Sequence, residues 1–101
     1  MNSHSEGQGT TASGDFSHSE GFGSTANQLA AHAEGQGTTA SGGSSHAEGE
    51  STIASGSGAH AEGSYVIDED LGMLQTTASG DASHAEGYAT EAVGWAAHAE
   101  G

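Results

Sequence analysis

Seven histidines, at positions 4, 18, 32, 46, 60, 84 and 98, are each followed two residues later by a glutamate. The pairs are His4 and Glu6, His18 and Glu20, His32 and Glu34, His46 and Glu48, His60 and Glu62, His84 and Glu86, and His98 and Glu100. Imidazole beside carboxylate can move protons, ligate a metal, or form a mutual hydrogen bond. Catalysis fits the pattern poorly. Enzymes gather unusual residues in one pocket, whereas here Ser, His, Asp and Glu recur as a lattice with no unique nucleophile. A non-enzymatic chain is expected. Metal ligation would set Zn²⁺ or Ni²⁺ on histidines such as His46 and His60. Recurrence at every level suits a structural hydrogen-bonding column better than one designed site, so no metal and no cofactor are expected.

The elements that must position these pairs are legible from the spacing. Successive histidines are 14 residues apart, except that 24 separate His60 from His84, one step plus an insertion of ten. Between the His-(Ala/Ser)-Glu-Gly copies lies a second unit, Thr-x-Ala-Ser-Gly, at 10–14, 38–42, 52–56 and 76–80. Cut into sevens and lettered a to g, the chain has a small residue at a, Ala or Ser at c, and His and Glu at b and d of alternate units. Gly occupies e at Gly7, Gly14, Gly21, Gly35, Gly42, Gly49, Gly56, Gly63, Gly80, Gly87 and Gly94, with Gln28 the exception. Alternation from a to d is the period of a strand. A recurring Gly is the residue a corner takes, because it reaches positive φ without strain. Two short strands per 14 residues predict an all-β fold, a flattened parallel β-roll or β-solenoid with coils about 4.8 Å apart. One module over 1–101 is expected.

Composition excludes several partners. With 14 acidic residues and no Lys or Arg, the formal charge is −14, leaving nothing to neutralise phosphates. Neither nucleic acid nor an anionic membrane is expected to bind. No stretch is apolar enough to span a bilayer, and no signal peptide is legible. The chain opens and closes on the repeat, as a module cut from something longer would. Only 32% of residues are apolar, so stability is expected from stacked coils and from association with other chains.

Departures from the repeat mark further candidates. The unit 24–30 has Gln28 in place of its Gly, which predicts a local bulge. Residues 64–73 form an excursion from a corner; Tyr65, Asp68, Glu69 and Asp70 are its candidates for contacting a partner, because loops leaving a rigid scaffold carry variation. The acidic run lacks the spaced ligands of an EF-hand and reads as a solvated loop. Thr11, Thr25, Thr39, Ile53 and Thr77, with Ser or Asn two residues on, suggest a flat array of the ice-binding kind, broken by Ile53, Asn27 and Glu91. The last units carry Tyr88, Val93 and Trp95, a cluster suited to a cap or a transition.

The motif Ser-His-Ala-Glu-Gly-x-x-Thr-x-Ala-Ser-Gly-x-x closely resembles the head repeats of trimeric autotransporter adhesins, the YadA-like left-handed parallel β-roll, and is similar to repeats of phage fibre and appendage proteins. The likeness runs from Ser3 to Gly101 apart from the insertion. It implies a homotrimer in which one strand face per coil lines a shared axis. The family strand often reads small-Val-Ala-Ile-Gly with Val and Ile facing that axis; here His and Glu take those places. The resemblance therefore implies a trimer seam of the seven His–Glu pairs, joined by interchain hydrogen bonds. It also implies an extracellular, cell-surface or virion location, and adhesion to a host surface protein, matrix or glycan receptor. The other reading is a metal- or pH-responsive trimer assembly module, with an ice-binding solenoid a further one.

Overall fold

A computed structural model describes residues 2–70 and 72–101. Parallel strands stack one per coil into two sheets, and no described residue is helical. The first sheet holds β1 (His4–Gln8), β3 (His18–Phe22), β5 (His32–Gln36), β7 (His46–Glu50), β9 (His60–Ser64), β13 (His84–Tyr88) and β15 (His98–Glu100) in that order. The second holds the two-residue strands β2 (Thr11–Ala12), β4 (Thr25–Ala26), β6 (Thr39–Ala40), β8 (Ile53–Ala54), β12 (Thr77–Ala78) and β14 (Glu91–Ala92). Equivalent residues of successive coils pair, His32 with His46 and Glu34 with Glu48 among them. The result is the expected solenoid of 14-residue coils, flattened to 16 Å in its thinnest dimension.

The small residues at a and c point inward, as their alternation predicts. Ala33, Ala47, Ala61 and Ala85 form one fully buried column, and Ala26, Ala40, Ala54 and Ala78 form the facing one. Among the described residues the buried apolar side chains are all alanine. Position a supplies buried hydroxyls, and each answers a corner carbonyl. Ser17 Oγ donates to Gly14 O at 2.6 Å, Ser45 Oγ to Gly42 O at 2.7 Å, and Ser83 Oγ to Gly80 O at 2.6 Å. At the other corner Thr38 and Thr52 donate to Glu34 O and Glu48 O at 3.1 and 3.0 Å. These buried hydroxyls are thus satisfied locally, and where the position is Ala31 or Ala59 a buried methyl takes the place of the hydroxyl.

The corners correct one expectation. Glycines that end the His strands do adopt positive φ, +105° at Gly49 for example. Those that follow Thr-x-Ala-Ser do not; at Gly42 the requirement is space, since a Cβ would collide with Gly56 O in the next coil. The left-handed residue of that corner comes two places later, at Phe16, Ala30, Ser44, Ala82 and Ala96, with φ of 56–60°. Its N–H donates to the coil before it, Ala30 to Asp15 O and Ala96 to Asp81 O, both at 2.8 Å. A stacking hydrogen bond holds a conformation that costs an L-residue roughly 1–2 kcal/mol.

Gln28 produces no bulge. Its corner keeps the bonds of the others, Ala31 N–H to Gln28 O at 3.1 Å matching Ser45 N–H to Gly42 O at 3.1 Å. The strain is taken up as a lengthened bond, Asn27 N–H to Ala40 O at 3.3 Å against 2.9 Å for Ser41 N–H to Ala54 O. The excursion leaves after Ser64 and folds as an antiparallel hairpin, β10 (Val66–Asp68) with β11 (Gly72–Leu74). Leu71, within the expected 64–73, lies outside the described residues.

Candidate functional site: a histidine–glutamate ladder

Parallel pairing in register carries every His to the place its predecessor holds one coil earlier. From His18 to His98 the imidazole rings stack with centroids 4.6–4.8 Å apart and planes within 15° of parallel. Only His4, in the first coil, is tilted, at 50° to His18. Beside the rings runs the Glu column. Interior members of both columns are about one-third exposed, as at His46 (34%) and Glu48 (31%).

From His46 onward each Nε2 faces two carboxylate oxygens from successive coils. His46 Nε2 lies 3.5 Å from Glu34 Oε1 and 3.7 Å from Glu48 Oε2. His60 Nε2 lies 3.3 Å from Glu48 Oε1 and 3.8 Å from Glu62 Oε2. His84 repeats this with Glu62 at 3.3 Å and Glu86 at 3.8 Å, and His98 with Glu86 at 3.5 Å and Glu100 at 4.0 Å. Earlier pairs stand at 3.4 Å (His4–Glu6), 3.4 Å (His18–Glu20) and 3.8 Å (His32–Glu34). These contacts run up one chain. A partner chain is not required to give each carboxylate an imidazole. Most separations are longer than a good hydrogen bond. The Nε2 atoms of His18, His32 and His46 are shielded from solvent and have no hydrogen-bond partner among the described residues.

The carboxyls also act on one another. A hydrogen bond with Glu34 is the largest influence raising Glu20 above the ordinary carboxyl value, and the same bond is the largest one lowering Glu34. Glu48 is raised chiefly by its bond with Glu62, which is itself pulled down to about 2. Glu86 is raised chiefly through Glu100, and Glu6 is lowered chiefly through Glu20. Raised carboxyls, at Glu20, Glu48 and Glu86, thus alternate along the ladder with lowered ones, at Glu6, Glu34 and Glu62. Like charges stacked this closely cannot all ionise freely. Burial is the main cause depressing His32, followed by the charge of His46.

Beside the Glu column an open groove follows the rod, floored by the positive-φ glycines. One stretch, of about 690 Å³, runs past Glu48, Glu62, Glu86 and Glu100, and another, of about 600 Å³, past Glu6, Glu20, Glu34 and Glu48.

Other sequence candidates are not gathered into this site. Asp68 Oδ1 accepts from Asp70 N–H at 2.8 Å within the hairpin turn, a local use of the acidic run. Tyr65 is half-buried and Glu69 exposed. The Thr column lies in the opposite sheet, where Ile53 and Glu91 occupy places in register with Thr77. Tyr88 and Trp95 project into solvent, 69% and 83% exposed, so they cap nothing within the chain. The left-handed corner residues and the buried hydroxyls were not singled out from the sequence. Their signals were Gly9, Gly23, Gly37 and Gly58 at g, and the Ser/Thr preference at a. No family model, curated protein or solved structure matches this chain.

Proposed function

We propose that the chain is a non-enzymatic segment of a homotrimeric surface fibre, a left-handed β-roll of the adhesin-head or phage-fibre kind. In this reading three rods pack with their His–Glu faces toward a common axis, and the assembly holds binding surfaces away from a cell or virion. Receptor contact, with a host protein, matrix or glycan, falls to the hairpin 66–74 and to aromatic side chains on the corners, presented three times over.

The observation that carries the reading is the ladder face itself. It is uniform along the rod, its nitrogens at His18, His32 and His46 are shielded yet unbonded, and a glycine-floored groove lies alongside it. Among the described residues the interior contains only alanine as its apolar side chain, so burial within one chain supplies little stabilisation. Covering a rod-length face with two more copies adds what the core lacks.

Cysteine crosslinking tests which face meets the axis. His46→Cys should give disulfide-linked chains on oxidation, whereas Thr39→Cys, on the opposite sheet, should not. Crosslinking through Thr39→Cys alone would move the interface to the other sheet and overturn the proposal.

A further inference from the structure

We propose that the ladder is a one-dimensional array of divalent transition-metal sites, each made within a single chain by one imidazole and two carboxylates of successive coils. The proposal departs from the purely structural column expected from the sequence, and it does not depend on how many chains associate.

The geometry argues it in three steps. Ligand atoms on one Zn²⁺ ion stand about 2.0–2.2 Å from the metal, so two of them in a tetrahedral set are separated by roughly 3.3–3.6 Å. The Nε2 to carboxylate separations at His46 and His60, from 3.3 to 3.8 Å, fall around that edge length. They are too long for strong hydrogen bonds. Clusters such as His46–Glu48–His60 bring their ligand atoms within 4.8 Å of one another, close enough for Glu48 to serve either imidazole.

Ring stacking decides which atoms share an ion. Parallel rings 4.8 Å apart at His46 and His60 aim their lone pairs the same way, and two nitrogens on one Zn²⁺ can be no more than about 4.2 Å apart. One imidazole per ion follows. The carboxylates supply the rest, since Oε1 of Glu48 faces His60 while its Oε2 faces His46. Glu48, Glu62 and Glu86 thereby each bridge two sites, and remaining coordination positions fall to water. Imidazole with carboxylate selects Zn²⁺, Cu²⁺ or Ni²⁺ over Ca²⁺ and Mg²⁺.

Charge sets the loading. A chain of formal charge −14 without one Lys or Arg favours cations, and the shielded Nε2 of His46, which lacks a hydrogen-bond partner, gains a ligand. Ions in adjacent sites would stand about one coil, 4.8 Å, apart, and their repulsion opposes filling every site. His46, His60, His84 and His98 each have two carboxylates in reach. Alternate loading gives about two ions per chain.

The test is equilibrium dialysis of the whole chain against Zn²⁺ at neutral pH, with metal counted per chain, alongside visible absorption of the Co²⁺ form. The proposal expects about two Zn²⁺ per chain and an intensified Co²⁺ spectrum of nitrogen and oxygen ligation. Glu48→Gln, which removes the anionic bridge between His46 and His60, should weaken binding at least about tenfold. Glu91→Gln, on the opposite sheet, should leave it unchanged. No retained Zn²⁺, equal losses in both variants, or a Co²⁺ spectrum identical to the hydrated ion would each overturn it. The Co²⁺ spectrum of the unaltered chain decides the matter even if Glu48→Gln fails to fold.

Discussion

At the scale of the residue, one histidine gives the ladder a defined response to pH. Burial holds His32 below the ordinary imidazole value, and the neighbouring His46 adds to that; Glu34 opposes both. A depressed histidine means the unfolded chain binds more protons, so stability is lost as pH falls through 6.5 toward the folded value. The melting temperature should fall between pH 7.5 and 5.5, and His32→Gln should lessen that fall. Lowered carboxyls such as Glu62, at about 2, contribute stability above the ordinary value that is lost in strong acid. The raised carboxyls of Glu20, Glu48 and Glu86 contribute in the reverse sense, most fully in acid and not once pH passes their folded values. The lowered set acts below the ordinary carboxyl value and the raised set above it, and the histidine adds a slope of opposite sign to that of the raised set. A second residue-scale prediction concerns the interior. Ala47, fully buried, pairs with Ala33 and Ala61 in the adjacent coils. Ala47→Val adds two methyl-sized groups where no space exists and should cost about 1–3 kcal/mol, read by denaturant unfolding.

At the scale of the element, corners rather than strands set the geometry. Gly49 combines φ of +105° with a carbonyl of the next coil where a Cβ would sit. Gly49→Ala should destabilise by at least about 2 kcal/mol, since backbone strain and overpacking add. Ala82, at φ of 57°, should behave in the opposite way. Ala82→Gly relieves strain and should stabilise by up to about 1 kcal/mol, the lost chain entropy offsetting part of the gain. The hairpin is an addition to the rod: removing residues 66–75 restores the 14-residue step between His60 and the coil after it. That deletion should keep the β-sheet circular dichroism of the full chain. The strands were legible because alternation of small and polar residues has only one period that fits four positions between glycines. Corner conformation was less legible. A glycine in a sequence does not say whether it serves φ, as Gly49 does, or clearance, as Gly42 does. Nor does Gln28 announce that its corner survives a side chain by lengthening one bond to 3.3 Å.

At the scale of the whole molecule, a thin rod with an alanine core carries one face that a single chain leaves half-covered. The pairing of His with Glu was legible from the two-residue spacing, which puts both on one side of a strand. Its direction was not. Spacing alone leaves open whether a carboxylate meets an imidazole of its own chain or of another, and the register of coils answers it within the chain through contacts such as Glu48 to His60 at 3.3 Å. In the proposed trimer, association would fall to the face as a whole rather than to individual interchain pairs, and would supply the buried area that alanine cannot. Sedimentation equilibrium of the chain near pH 7.5, with and without chelator, measures this most directly. The account predicts three times the 9.8 kDa chain mass, with chelator present as well as absent. A folded species at the mass of one chain would contradict it.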